Sequence, residues 1–122
     1  MKKRYSALSI VAPSGSNIAC GLKTLEVRSW QPEHLPLKDL VIVENQRYLH
    51  ESGEEDFGRA VAMVDVDVYD VHAWTENEIE QAQATYWAAG YWAWRLENIR
   101  MIDWDMPVPA KRDIYLIEID HP

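Results

Sequence analysis

The sequence predicts an α+β fold in which a small, mostly antiparallel β-barrel is flanked by short helices. Apolar residues alternate with polar ones over several short segments, as expected of strands with one buried face. Two segments carry the caps and spacing of short helices. These strands and helices do not alternate regularly, which argues against a parallel α/β fold. With 122 residues the chain can bury one hydrophobic core, so residues 1–122 are predicted to form one domain.

Six strands are predicted from alternating patterns or short apolar runs. They cover residues 4–11, 24–30, 40–43, 59–71, 91–102 and 114–119. The polar and acidic stretch 46–58, which contains the turn signal Ser52-Gly53, predicts an exposed loop. Pro107 and Pro109 predict a break before the last strand, because proline cannot donate a hydrogen bond to a strand ladder.

A short helix is predicted between the first two strands. Ser14 or Ser16 can cap its amino end, and it is expected to run to Cys20. Gly21 suits its carboxyl end, where the backbone often turns left-handed. Cys20 is the only cysteine, so an internal disulfide is excluded. We expect it to be a small buried residue and not a nucleophile.

A second helix is predicted from residues 75–78, Thr-Glu-Asn-Glu, which have the spacing of a capping box. An apolar stripe at helical spacing follows and ends near Gly90. Its members are Ile79, Ala82, Tyr86 and Ala89.

The charge of the chain is unevenly distributed. The net charge is −8, yet residues 51–80 sum to −9 and residues 1–50 to +3. The acidic total argues against a protein that coats duplex DNA, but the positive segment admits an anionic ligand. Residues 51–80 could dock on a basic protein partner. Neither a signal peptide nor a membrane span is recognisable, which favours a cytoplasmic protein without a membrane partner.

The most informative pattern lies in residues 21–30. Lys23 precedes the second predicted strand, and Glu26 and Arg28 share one of its faces. Lysine and arginine can grip a phosphate, and a carboxylate between them can accept from a base or position a water. Thr24 and the ring of Trp30 lie on the same face and are candidate ligand-binding residues. The structural alternative is a solvated strand face with a Lys-Glu-Arg salt-bridge ladder.

These residues resemble the signature of the ASCH domain, named for activating signal cointegrator homology. The resemblance covers nearly the whole chain. It is carried by Ala7-Leu8-Ser9-Ile10, Gly21-x-Lys23-x-x-Glu26-x-Arg28-Ser29-Trp30, Trp94-Arg95-Leu96-Glu97-Asn98-Ile99-Arg100, Pro107-Val108-Pro109-Ala110-Lys111 and Ile114-Tyr115-Leu116. It implies a PUA-like β-barrel, in agreement with the strand count, with a cleft beside the barrel lined by the Lys-Glu-Arg motif.

The resemblance also implies a ligand and a site. Members of the family act on RNA or nucleotides, some are ribonucleases, and one branch is an amidohydrolase on acetylated cytidine. Carried over, Lys23 and Glu26 are the candidate catalytic residues and Arg28 binds the ligand. Arg95 and Asn98 are further candidate ligand-binding residues, because the resemblance places their strand beside the motif. No metal and no other cofactor is predicted.

The sequence departs from the family pattern at two places. The amidohydrolase branch has a threonine nucleophile where this chain has Glu26, and Thr24 is displaced by about 7 Å along a strand. A ribonuclease is therefore favoured over an acetylcytidine amidohydrolase. Many relatives carry a Pro-Trp pair after the first strand, whereas Ser14 follows Pro13 here, so Trp30 or another tryptophan would have to replace that ring.

Aromatic and acidic clusters offer alternative sites. A cluster of aromatic side chains could stack bases, or Tyr86 and one of Trp92 and Trp94 could instead fill the core. It comprises Tyr86, Trp87, Tyr91, Trp92 and Trp94. Two acidic groups could bind a hard cation but are more typical of a solvent face, and the histidines have no spacing that indicates ligation. These are Asp65, Asp67 and Asp70; Asp103 and Asp105; His34, His50, His72 and His121.

Three functions stay open from the sequence. The first is binding of single-stranded RNA or a nucleotide, with or without hydrolysis. The second is a non-catalytic reader of a modified base, and the third is a protein-interaction module. If the motif is functional, Lys23→Ala should remove binding with little change in melting temperature, whereas a structural motif would unfold.

Overall fold

The computed structural model describes residues 2–49, 55–102 and 107–120. These residues form two short α-helices and nine strands, together with single-turn 3₁₀ helices at Val68–Asp70 and Glu76–Glu78. In chain order the elements are β1 (Lys2–Val11), α1 (Ser14–Ala19), β2 (Leu25–Arg28), β3 (Leu37–Asn45), β4 (Glu55–Val66), β5 (Val71–Ala73), α2 (Ile79–Ala82), β6 (Trp92–Arg95), β7 (Glu97–Met101), β8 (Pro107–Lys111) and β9 (Ile114–Asp120). The α+β class is therefore confirmed.

The strands form two sheets. The larger has the order β7-β4-β3-β1-β9, with β8 also paired to β4, and the smaller has the order β2-β6-β5. All described pairings are antiparallel except that of β1 with β3. The predicted barrel is wrong for the described residues, because these two sheets do not close on each other. β6 passes into β7 through Leu96 alone, so the chain leaves one sheet for the other at a single bend.

The large sheet is buried on both faces at its centre. Along β3, Leu40 and Ile42 pack into one hydrophobic cluster, while Val41 and Val43 pack into another on the opposite face. This explains why the predicted strand 40–43 is fully apolar and does not alternate. A third, smaller cluster around Trp74 packs beneath the small sheet.

The second helix is shorter than predicted. The capping box between Thr75 and Glu78 is present, but α2 ends at Ala82 and Gln83 adopts a left-handed conformation with φ 53°. The stripe does not continue: Tyr86 is 74% exposed. The chain leaves the helix so that the Trp87 indole nitrogen donates to the Trp74 carbonyl at 3.1 Å. A tertiary contact has overridden the helical period.

Three further element predictions are corrected. Residues 55–58, predicted as loop, belong to β4, and the predicted strand 91–102 is two strands. The break at Pro107 and Pro109 is instead β8, in which these prolines are exposed and alternate with buried neighbours. Within the described residues β8 pairs as a strand only with β4, and such an edge position tolerates proline.

The acidic residues of the segment after position 54 are largely engaged within the fold. Asp65 pairs with Arg100 at 2.8 Å, and Asp70 accepts the Asp67 amide in the cap of the first 3₁₀ helix. Glu78 contacts His72 at 2.8 Å. The described residues hold no group of three or more side chains placed to bind a metal ion. The remaining candidates lie outside those residues: His50, Asp103, Asp105 and His121.

Both α-helices are far too short to cross a membrane. No helix in the part of the chain that the structure describes is long and apolar enough to do so.

Candidate functional site

The turn after α1 places Lys23 at the start of β2. Gly21 takes a left-handed φ of 84°, which a glycine adopts without strain. The amides of Leu22 and Lys23 then both donate to the Asn17 carbonyl, at 2.9 and 3.1 Å. The predicted helix and its glycine end are thus confirmed, but Cys20 is exposed and not buried as expected. The tight turn directs Lys23 toward the carboxylate of Glu26.

Lys23, Glu26 and Arg28 form one continuous ion cluster. Glu26 Oε2 accepts from Arg28 Nε at 2.8 Å and lies 2.7 Å from Arg28 Nη2. Glu26 Oε1 lies 3.5 Å from Lys23 Nζ. The lysine donates to the Ala82 carbonyl at 2.6 Å, and Arg28 Nη2 donates to the Ser9 carbonyl at 2.9 Å. The cluster therefore ties β2 to the end of α2 and to β1.

The cluster is largely buried. The alternative interpretation, a solvated salt-bridge ladder, is therefore right about the ion pairs and wrong about their exposure to solvent. The Lys23 and Glu26 side chains are only 8% and 7% exposed, and that of Arg28 is 23% exposed. Burial lowers the pKa of Lys23, opposed by the Glu26 carboxylate and assisted by the charge of Arg28. Lys23 now has a structural role, so Lys23→Ala is expected to lower stability as well.

A cavity of about 370 Å³ opens beside this cluster and is called the Arg28 cavity here. Among the described residues its wall carries four cationic side chains and two carboxylates, so it favours an anion. The charged members are Glu26, Arg28, Arg47, Lys111, Arg112 and Asp113. Trp30 and Tyr48 add aromatic surface. Of the predicted site residues, the structure thus brings Glu26, Arg28 and Trp30 to one wall.

Trp30 is held in place by a second tryptophan. Its ring meets that of the fully buried Trp94 edge to face, with centroids 5.0 Å apart and an interplanar angle of 82°. Trp94 lies directly opposite Glu26 in the β2–β6 pairing. The expectation that one of Trp92 and Trp94 fills the core is thus met by Trp94. Trp94 also gives Trp30 a fixed support on the cavity wall.

A hydrogen-bonded chain supports the opposite wall. Its residues belong to the segments that carry the family resemblance, but no pattern in the sequence predicted that they would contact one another. The Lys111 amide donates to Ser9 Oγ at 3.1 Å, and Ser9 Oγ lies 2.7 Å from the Tyr115 hydroxyl, which donates to the Pro109 carbonyl at 2.8 Å. Burial raises the pKa of Tyr115. Because the Ser9 carbonyl also accepts from Arg28, this chain connects β8 and β9 to the ion cluster.

Four predicted site residues lie outside the described lining of the Arg28 cavity. Lys23 sits behind Glu26. Thr24 is used through its backbone, whose amide donates to Gln81 and whose carbonyl accepts from Leu96. Arg95 is exposed at the end of β6. Asn98 donates to Asp65 at 3.1 Å and lines a separate acidic cavity.

The aromatic stacking platform is not assembled. Tyr86 and Tyr91 are exposed, while Trp87 and Trp92 pack against different hydrophobic clusters. Trp87 and Tyr91 each contact the buried ring of Trp74, but the five side chains do not form one continuous surface. Tyr86 does not fill the core as expected.

The sequence matches the family model of the ASCH domain over residues 8–106. The matched range includes the end of β1 from Leu8, the Lys-Glu-Arg motif at β2 and every later strand through β7. No curated protein matches the chain significantly.

Proposed function

The chain belongs to the ASCH domain family, a family linked to RNA binding, and from that premise we propose that it binds single-stranded RNA or a nucleotide in the Arg28 cavity. The observation that carries the proposal is the guanidinium of Arg28, which Glu26 and the Ser9 carbonyl hold at the cavity wall. A held guanidinium binds a phosphate with two donors at little entropic cost.

The charges around Arg28 fit a nucleic-acid backbone. Lys111 at the end of β8 and Arg112 after it also line the cavity, and Trp30 supplies a ring on which a base can stack. A cavity of about 370 Å³ admits a phosphate and a sugar but not a duplex. The ligand is therefore a single strand or a small nucleotide.

We assign Glu26 a positioning role. One carboxylate oxygen accepts from Arg28 and the other faces Lys23, so the carboxylate holds both cations in place. Lys23 itself donates a hydrogen bond to the Ala82 carbonyl. The geometry therefore favours binding over the hydrolysis that the catalytic assignment of Lys23 and Glu26 would require.

Hydrolysis is the second candidate, and the lowered pKa of Lys23 beside a carboxylate is the observation that favours it. An RNA strand that is shortened on incubation, with cleavage lost in Lys23→Met, would establish it. Saturable binding of RNA that stays intact would instead support a protein that binds RNA without hydrolysing it. Capture of a basic protein by residues 51–80, with no RNA binding, would support the interaction module.

Binding is tested with a fluorescein-labelled single-stranded RNA octamer, followed by anisotropy. Arg28→Ala should weaken the affinity at least tenfold, because a bidentate charge-assisted contact is lost. Arg4→Ala removes the same charge from an exposed pair with Glu118 and should stay within twofold of the wild type. Equal affinity of the two variants would refute the proposal.

Because Arg28→Ala leaves Glu26 with one partner fewer, a second pair of variants guards against misfolding. Lys111→Ala removes a positive charge from the lining of the Arg28 cavity, and Lys38→Ala removes one from an exposed position elsewhere. Only Lys111→Ala should weaken binding. Circular dichroism shows that each variant is folded at the temperature of the titration.

A further inference from the structure

A second cavity adjoins the Arg28 cavity. It has a volume of about 620 Å³ and shares two lining residues, Trp30 and Asp113, with the first. Its other described lining residues are Ser6, Gln31, Glu33, His34, Leu37 and Ile114. Trp30 and Asp113, in the turn between β8 and β9, therefore stand between two cavities, and a ligand that passes the Trp30 ring reaches both.

The two cavities differ in charge. The described lining of the second contains the carboxylates Glu33 and Asp113 and neither lysine nor arginine. A phosphate is repelled there, whereas the cationic side chains of the Arg28 cavity attract one. The division of charge places the backbone of a nucleic acid on one side of Trp30 and an uncharged group on the other.

The second cavity offers what a nucleobase needs. Trp30, Leu37 and Ile114 supply apolar surface for a flat ring. Gln31 and His34 supply polar groups that can reach the edge of a base.

We propose that the second cavity holds a nucleobase of the strand whose phosphate lies in the Arg28 cavity, so that the ligand is an oligonucleotide of at least two residues. Trp30, fixed by Trp94, stands between the two binding positions. This inference rests on the proposed function, since it places the phosphate at Arg28. It adds that a single nucleotide fills only half of the site.

The test compares two ligands of equal charge, the dinucleoside monophosphate ApA and the methyl ester of adenosine 5′-monophosphate. Each carries one phosphodiester charge, and they differ by one nucleoside. Calorimetry of the wild-type protein should show ApA binding at least fivefold more tightly, because one stacked base contributes about that much or more. Equal affinity would overturn the inference.

Variants then locate the additional base. In Gln31→Ala/His34→Ala the affinity for ApA should fall at least about threefold, because the polar contacts to the additional base are lost while the apolar surface remains, and the methyl ester should bind as before. Gln81→Ala, at an exposed position outside both cavities, should bind ApA as the wild type does. An affinity for ApA that the double variant leaves unchanged would overturn the inference.

The same titrations separate this inference from the proposed function. Arg28→Ala should weaken both ligands, because both place a phosphate at the guanidinium. If Arg28→Ala weakens both equally and ApA has no advantage, the inference fails and the proposed function stands. If neither ligand nor the RNA octamer binds the wild type, both fail.

Discussion

Glu26→Gln is the substitution that tests most sharply how the ion cluster is built. It removes one negative charge and keeps the size of the side chain. In the wild type this carboxylate is 7% exposed and is the counter-charge of both Lys23 and Arg28. After the substitution the Lys23 ammonium stays buried with the Ala82 carbonyl as its remaining described acceptor at hydrogen-bond distance.

The expected cost is about 3 kcal/mol in the free energy of unfolding. Removing one partner of a buried ion pair typically costs about 3–5 kcal/mol, because the other charge is left uncompensated. The lower end applies here, since glutamine keeps an acceptor for Arg28 and the pKa of Lys23 is already lowered, which eases loss of its proton. At about 4 °C per kcal/mol for a chain of this length, the melting temperature should fall by about 12 °C.

Urea unfolding followed by tryptophan fluorescence measures this cost at pH 7. Glu118→Gln is the matched control, because its carboxylate pairs with Arg4 at the surface and should contribute less than about 1 kcal/mol. In a Lys23→Met background the cost of Glu26→Gln should fall to about 1 kcal/mol, since no buried ammonium is left unpaired. A Glu26→Gln protein within 0.5 kcal/mol of the wild type, or a cost unchanged by Lys23→Met, would refute the reasoning.

Two further predictions concern pH and packing. Because burial lowers the pKa of Lys23 below 10.5 in the folded state, the unfolded chain binds the proton more tightly between the two values, so this residue makes the protein more stable as pH rises toward 10.5. The stability of the wild type minus that of Lys23→Met should therefore increase between pH 8 and 10, and a decrease would contradict the burial of the charge. A Cβ atom at Gly58 would overlap the backbone carbonyl of Glu44 on β3, so Gly58→Ala should cost about 2 kcal/mol by urea unfolding. Phe57→Ala at the exposed neighbouring position is the control, and equal stability of the two variants would show that the strands separate freely.

Local patterns account for the parts of the fold that the sequence predicted well. Gly21 ends α1 because a left-handed residue is needed there, and the alternation along β2 places Glu26 and Arg28 together. Both features depend on neighbours within a few residues. The resemblance to the ASCH domain was recognised over almost the full chain, and the match to the family model over residues 8–106 confirms the family.

Long-range packing explains what the sequence could not predict. The period of residues 79–89 is helical, but the contact between Trp87 and Trp74 ends the helix early. The burial of Lys23 depends on Ala82, which lies 59 positions away. Ser9 and Tyr115 meet across the β1–β9 pairing, 106 positions apart, and no local pattern in the sequence predicts their contact.

The placement of the predicted site residues follows the same division. Glu26, Arg28 and Trp30 come from one local segment and share a wall, whereas Asn98 was assigned through the strand that contains it. The bend at Leu96 carries that residue into the other sheet, where it contacts Asp65. A single-residue change of direction thus removed it from the Arg28 cavity.

The most direct test of the central claim, that RNA binds in the Arg28 cavity, is a titration of the ¹⁵N-labelled protein with the single-stranded RNA octamer, followed by amide NMR. We expect the largest chemical-shift changes at Ser9, Arg28, Trp30 and Lys111, which line the cavity from three strands and the segment after β2. Changes confined to other surfaces, such as the exposed Tyr86 and Tyr91, with these four amides unmoved, would contradict the account.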